Sequence, residues 1–183
     1  MRKELAELYF EYIHDQFHSI YHRASFMDDL MGDRIPAVVL FAIFALSARF
    51  STNEAFAGSN PRERGERYRV ASENMLCIRD LSPGTVQAYL LLGAYAAASG
   101  ETEAENLYYG LAGRTSLLLD LPNIEECGPF ERETNIRTWW AICMVRMIMY
   151  EMNVRQMLTS YIYSEGGCLV IYRSQTAALH ANR

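Results

Sequence analysis

Three histidines near the N-terminus have a spacing that suits metal binding. His14, His18 and His22 repeat at intervals of four residues. On one continuous helix their imidazoles would share a face and could bind zinc or copper. The alternative interpretation is that they are surface or capping histidines. We expect this alternative and assign no metal site to them.

A group of aspartates follows in the stretch "FMDDLMGD", which contains Asp28, Asp29 and Asp33. Paired aspartates on a helix can hold magnesium against a diphosphate, as in terpenoid synthases, because magnesium prefers oxygen ligands. No second metal motif accompanies them, so we expect a solvated, capped helix start. A magnesium-dependent diphosphate enzyme is the alternative, and it would lose activity on Asp28→Ala and Asp29→Ala.

Other catalytic signals are missing from the sequence. It contains no nucleophile elbow, phosphate loop or glycine-rich dinucleotide signature, and no spacing of Ser, His and Asp assigns a triad. The four cysteines, Cys77, Cys127, Cys143 and Cys168, lie far apart without a C-x-x-C motif. They indicate free, buried thiols in a reducing compartment. We therefore predict no enzyme, no catalytic residue and no bound cofactor.

Composition limits the remaining classes of function. The 183 residues suffice for one domain, and the formal net charge of −5 argues against binding a polyanion without a separate basic module. The longest nearly uncharged run, Ile35 to Ala48, is shorter than the ~20 residues that span a bilayer. We interpret it as a buried core helix and expect no membrane partner.

Helical periodicity continues almost throughout and predicts an all-α, single domain of six or seven helices. Capping residues and breakers set the expected bounds. The predicted helices are one containing Leu5–Ile13, one capped by Ser25 and ended by Gly32, a buried one from Pro36 to about Arg49, a polar one with Tyr68, Ala71, Met75 and Leu76 or Ile78 inward, one from Ser82 to Gly100, one ended by Pro122, and one from about Phe130 to Met152.

Both tryptophans lie together in the last of these helices, in "ETNIRTWWAICMVRMIMYE". Trp139 and Trp140 fall in an apolar stripe at helical spacing, which is typical of a core face. We expect one indole to point into the core and the other to lie at the edge of the stripe. Arg137 could lie along the Trp140 ring, and Arg146 needs a carboxylate or an outward face.

Four stretches in order resemble the fungal-specific transcription factor domain, the middle homology region downstream of a zinc binuclear-cluster DNA-binding domain. They are "YFEYIHDQFHSIYHRASF", "VVLFAIFALSARFS", "LSPGTVQAYLLLGAYAAASGE", and "YYGLAGRTSLLLDLP" followed by "ERETNIRTWW". The likeness covers about residues 5 to 150 and implies a turn between His18 and Ser25. Asp15 replaces the family's usual proline, Ile136 replaces the first of two arginines, and Arg146 replaces an aspartate.

The resemblance implies a regulatory domain of a nuclear fungal transcription factor that controls transcription by RNA polymerase II. DNA and zinc would be bound by the family's other domain, whose six clustered cysteines have no counterpart here. Its partners would be the transcription machinery or corepressor proteins, and a small-molecule inducer. The residues that match the family's signature are Val86, Gln87, Gly110, Arg114, Arg137, Trp139 and Trp140.

Two expectations complete the prediction. The first is a ligand pocket between the Gln87–Tyr95 and Trp139–Met147 helices, lined by Gln87, Tyr95, Trp139, Trp140 and Cys143. The second is that residues 1–152 form the incomplete regulatory domain. Residues 153–183, where "CLVIY" suggests a short strand, form a divergent tail that is either disordered or a gene-model artefact.

A different function stays open beside the regulatory one. A helical protein-interaction scaffold without a DNA reader would show no response to ligands. It would instead lose partner binding when Arg64 or Arg67 is changed.

Overall fold

The computed structural model describes residues 1–16, 18–125 and 127–164, with side chains as far as residue 148. Seven α-helices run through this part of the chain, which confirms the all-α prediction. They are α1 (Arg2–Tyr12), α2 (Arg23–Met31), α3 (Ala37–Ser47), α4 (Glu66–Met75), α5 (Pro83–Ser99), α6 (Thr102–Leu118) and α7 (Pro129–Ser164). Short 3-10 turns lie at Ala48–Phe50, Glu54–Phe56 and Leu121–Asn123.

No β-strand occurs among the described residues. One isolated β-bridge joins the backbones of His14 and His18. The same residues contain no helix that is both long and apolar enough to cross a membrane. The chain divides into a unit of Met1–Arg146 and a second unit that begins at Met147. All packing described below belongs to the first unit.

Helix α3 is the centre of the first unit. It packs against α1, α4 and α5, and its residues are buried from Val39 to Ser47 with the partial exception of Phe41. A helix that is apolar on every side must be covered on every side, so the prediction of a buried core helix is confirmed. Pro36 is its N-cap residue, where a missing backbone N–H costs nothing.

Helix α5 forms the second layer of the core, and its ends were predictable. Ser82 caps the N-terminus by accepting a hydrogen bond from the backbone N–H of Thr85 at 3.2 Å. Gly100 ends the helix in the left-handed conformation with φ 78°, which favours glycine. Its side chains from Thr85 to Ala96 are buried between α3 and α6.

Helix α4 is shorter than predicted and shares only part of its predicted inward face. It buries Tyr68 and Ser72, whose hydroxyl donates to the Val38 carbonyl at 2.8 Å. Met75 is 48% exposed, so its predicted inward orientation is wrong. Of the two alternatives predicted for the next inward position, Leu76 is half-buried and Ile78 is 79% exposed. The helix ends at Met75 and the chain then becomes extended, so Ile78 does not continue the helical face.

Helix α7 also departs from the expected pattern. It continues to Ser164, beyond the predicted end at Met152, and the predicted strand in residues 168–172 lies outside the described residues. Its buried face carries Asn135, Thr138 and Ile142. The expected tryptophan core face is therefore wrong: Trp140 is 63% exposed and Trp139 is half-buried. Small polar residues face the rest of the bundle instead. A search for periodically spaced apolar residues does not detect such a face.

Candidate ligand-binding cavity

A cavity of about 520 Å³ lies where four helices begin or meet. Its walls come from α2 and the turn before it, the start of α3, the start of α5 and the start of α7. Small-molecule sites are clefts of roughly 300–1,000 Å³ with mostly apolar walls and a few placed polar groups. The volume and walls of this cavity fall in that class.

The floor of the cavity combines apolar side chains with two carboxamides. All five floor residues are buried. They are Tyr21, Phe26, Val39, Gln87 and Asn135. Ile124 and Cys127, both half-buried, add to the wall on the side of the loop that precedes α7. The thiol of Cys127 donates to the Ile124 carbonyl at 3.1 Å.

The two carboxamides are the polar groups with capacity left for a ligand. Gln87 is 8% exposed, and its Oε1 accepts a hydrogen bond from the Tyr21 hydroxyl at 3.1 Å. Its Nε2 has no hydrogen-bond partner among the described residues. Asn135 is 4% exposed, and its side-chain amide lines the cavity. Among the described residues, His18 Nε2 is the only side-chain nitrogen or oxygen atom that is both fully buried and without a hydrogen-bond partner. The two amides are therefore not buried unsatisfied groups, and they form the polar end of the cavity that they line.

Local sequence explains how these amides are positioned. The Ser82 cap and Pro83 fix the start of α5, which places Gln87 one turn inside the helix. On α7, Glu131 accepts the backbone N–H of Gly128 at 2.9 Å and so caps the helix start. Asn135 then follows one turn later, on the same face as Thr138.

The rim carries the charged residues, and described partners neutralise most of them. Asp29 pairs with Arg34 at 2.7 Å, and Glu133 pairs with Arg137 at 2.7 Å. The expected contact between Arg137 and the Trp140 ring is therefore replaced by an ion pair one turn away on α7. These side chains are a third to two thirds exposed, so each pair adds at most about 1 kcal/mol to stability.

His22 joins α2 to the start of α7 at the rim. Its Nδ1 accepts the backbone N–H of Ser25 at 3.4 Å, which makes His22 the N-cap of α2. The prediction that Ser25 caps this helix is wrong by one turn, and Ser25 instead bonds the His22 ring through its hydroxyl. The imidazole also stacks on Phe130 with ring centroids 6.5 Å apart.

The other two histidines are buried beneath α1. The prediction that they are surface residues is therefore wrong. His14 and His18 are each 7% exposed. His14 accepts the backbone N–H of Tyr21 at 3.3 Å, and His18 Nδ1 lies 3.4 Å from the Tyr9 hydroxyl. The Nε2 atom of His18 is fully buried and has no partner among the described residues. Burial lowers the pKa of His18 to about 4.

The turn that buries these histidines depends on Asp15. Its φ is 66°, a conformation that proline cannot adopt. Its carboxylate accepts the Ser19 hydroxyl at 2.5 Å, and this bond, together with His14 and Arg137, lowers the pKa of Asp15. The departure from the family's usual proline therefore has a local structural consequence.

The aspartates that the sequence offered as magnesium ligands lie in different surroundings, and the histidines are described above. Asp29 belongs to the cavity rim, and Asp33 pairs with Arg2 at 2.7 Å. Among the described residues, no group of three or more His, Cys, Asp or Glu side chains is placed to hold a metal ion. Of the cysteines, Cys77 is exposed and Cys143 is half-buried, so their predicted burial is not complete.

The predicted pocket residues are distributed over different parts of the unit. Gln87 lines the cavity, whereas Tyr95 lies two turns further along α5, where its hydroxyl bonds Glu66 at 3.4 Å. Trp139, Trp140 and Cys143 lie beyond the α7 segment, Phe130–Asn135, that reaches the cavity. Whether these four residues contact a ligand stays a prediction.

The remaining signature residues have different surroundings. Val86 is fully buried, whereas Arg114 is exposed. A Cβ atom added at Gly110 would meet no described atom within 4 Å, so packing does not require glycine there. Their role in binding a ligand or a partner stays a prediction.

Sequence reasoning missed Asn135 and Tyr21 as cavity residues. Asn135 lies one turn before Trp139 in a stretch whose apolar residues dominate the periodic pattern. A signal was present in the spacing of Asn135, Thr138 and Ile142, which share one helix face. Tyr21 belongs to an irregular turn, where spacing carries no such information.

Arg64 and Arg67, suggested as partner-binding residues, have structural contacts. Both guanidinium groups lie over the Phe56 ring, at 5.9 Å and 4.8 Å from its centroid. Arg64 also donates to the Ser51 carbonyl at 2.6 Å. Substituting either residue would disturb the segment before α4, so a loss of partner binding would not identify an interface.

Comparison with known proteins gives a consistent family assignment. The model of the family described as "Fungal specific transcription factor domain" matches residues 6–145. A transcriptional regulatory protein of Schizosaccharomyces pombe is 35% identical over 161 residues, which cover 77% of this chain and 16% of that protein. The Zn(2)-C6 fungal-type transcription factor FTF1a of Fusarium oxysporum f. sp. lycopersici is 25% identical over 156 residues, covering 77% and 15%.

A second regulatory protein of Schizosaccharomyces pombe is 43% identical over 47 residues, which cover 26% of this chain and 6% of that protein. The chain therefore spans about a sixth or less of the length of these relatives. No solved structure matches it.

Proposed function

Because this chain belongs to the fungal specific transcription factor domain family, we propose that it is a regulatory domain of a nuclear regulator of transcription by RNA polymerase II. Its role is to bind an effector and not to catalyse a reaction. DNA and zinc would be bound by a separate domain of the whole protein. Coactivator or corepressor proteins would receive the signal.

The observation that carries this proposal beyond the family is the cavity between four helices. An occupant would contact α2, α3, α5 and α7 together. A ligand can shift a conformational equilibrium only by its differential affinity for the two states. In the proposed role, small changes in helix packing alter all four walls of the site and thereby change its affinity for the effector.

A reporter experiment tests the proposal. The full chain is placed between a heterologous DNA-binding domain and an acidic activation segment, and reporter transcription is measured in yeast on different carbon and nitrogen sources and with apolar drugs. We expect the chain to lower the output several-fold and at least one condition to restore it. Equal output with and without the chain in every condition would refute the regulatory role.

A matched pair of variants connects the response to the cavity. Thr134 is half-buried, lines the cavity, and donates its hydroxyl only to the Phe130 carbonyl one turn back. Thr134→Phe should fill part of the space and remove the conditional response, whereas Thr134→Ala should keep it. If both variants respond as the unchanged chain does, the effector site lies elsewhere.

A further inference from the structure

The unused hydrogen-bonding capacity at the cavity floor indicates the chemistry of its occupant. Tyr21 already donates to Gln87 Oε1, so Gln87 offers a ligand its Nε2 donor. Asn135 lines the same cavity, and its amide carries both a donor and an acceptor. A complementary ligand group therefore carries a carbonyl oxygen and an N–H or O–H donor close together.

The distribution of charged side chains argues that the ligand group bound at the cavity floor is not ionised. The floor carries no charged side chain, and its buried residues are Tyr21, Phe26, Val39 and the two amides. The acids and arginines lie at the exposed rim, where Asp29 pairs with Arg34. An ion moved to the floor would lose its hydration without gaining an opposite charge.

The remaining walls define the body of the ligand. The ring of Phe26 lies 4.9 Å from that of Tyr21, centroid to centroid, and Val39 and Ile124 face the same space. Such walls stabilise an apolar, preferably flat, body by removing its surface from water. The volume of about 520 Å³ accommodates a molecule of drug size.

We propose that the cavity binds a neutral molecule with an aromatic or aliphatic body, whose adjacent carbonyl and N–H or O–H groups hydrogen-bond to Gln87 and Asn135. This inference rests on the proposed function in one respect: it concerns the same cavity. It adds the class of ligand, and it excludes carboxylates, phosphates and amines as the group at the floor.

Three probes with one ring system test the class of ligand. They are 2-naphthamide, 2-naphthoate and 2-naphthylmethylammonium, each titrated against the full chain near neutral pH with ligand-observed NMR. We expect the amide to bind with a Kd at least tenfold lower than that of either ion. Asn135→Leu should remove this preference, and Asn74→Leu, on the exposed side of α4, should keep it.

A second variant keeps the test decisive if Asn135→Leu fails to fold. Gln87→Met has a similar volume and should also weaken amide binding about tenfold, and circular dichroism of each variant confirms its helix content. Tighter binding of either ion, no binding by any probe, or an amide Kd unchanged in both cavity variants would overturn the inference. These outcomes leave the reporter experiment intact, because it measures transcription and does not depend on the ligand class.

Discussion

Buried His18 should make the stability of this domain depend on pH well above the range in which carboxylates titrate. Its pKa is lowered to about 4, chiefly because burial disfavours the charged imidazolium, with a further contribution from nearby His14. In the unfolded chain its pKa is about 6.5. Between these two values the unfolded state binds more protons than the folded state, so stability falls as the pH falls.

The size of the effect follows from the two pKa values. Proton linkage between about 6.5 and about 4 gives a loss of about 2 kcal/mol between pH 7.5 and pH 5, and roughly 3 kcal/mol once the pH is below 4. A domain of this size has about 5–15 kcal/mol of stability in total. The loss is thus large enough to measure by urea unfolding, followed by circular dichroism at several pH values.

Carboxylates contribute in a different window. Hydrogen bonds from Ser51 lower the pKa of Glu4, and hydrogen bonds from Arg69 lower that of Glu66. Their stabilisation is present above an unfolded pKa of about 4.3 and is lost as the pH falls further. The interval from pH 6.5 to pH 5 therefore reports mainly on histidine.

Two variants isolate His18 from the other histidines. His18→Phe keeps an aromatic ring beside Tyr9 but cannot titrate, so its free energy of unfolding should be nearly constant between pH 7.5 and pH 5. His22→Asn, which keeps a capping side chain at an exposed position, should retain the dependence on pH. If His18→Phe loses as much stability as the unchanged chain, the reasoning about the buried imidazole is refuted.

Two further predictions concern packing and the hydrogen bond at the cavity floor. Gly65→Ala should lower the free energy of unfolding by about 3 kcal/mol, because the added Cβ would overlap the carbonyl oxygen of Ala45, whereas Gly110→Ala should raise it by about 0.5–1 kcal/mol. Equal effects in chemical denaturation would contradict this. Tyr21→Phe removes the bond to Gln87 and should cost about 1 kcal/mol; an unchanged midpoint of thermal unfolding would show that another group replaces the hydroxyl.

The helices that could be predicted are those whose signals lie within their own residues. The apolar run of α3, the Ser82 cap and the Gly100 stop of α5 each dictate a local conformation whatever surrounds them. Burial of His14 and His18 could not be predicted in this way. It depends on the packing of Tyr9 against a turn, and such contacts join residues from different elements.

Of the residues that line the cavity, the sequence predicted only Gln87 as a pocket residue. Gln87 was identified because it belongs to a recognisable motif. Asn135 was not, because the orientation of α7 depends on which face fits the rest of the bundle, and its apolar residues suggested a neighbouring face, turned towards Trp139 and Trp140. Four of the five predicted pocket residues thus came from composition, whereas the observed walls come from helix starts that only the tertiary structure brings together.

The central position of α3 has a consequence during protein synthesis. The helix is complete in the nascent chain at Ser47, but α5, which covers one of its sides, ends only at Ser99. Ribosomes add about 5–20 residues per second, so roughly 3–10 s separate the two events. During that interval the segment "AVVLFAIFALS" lacks one of its partners. We expect chaperones that bind apolar nascent segments to associate with this stretch, and to be released once α5 has emerged.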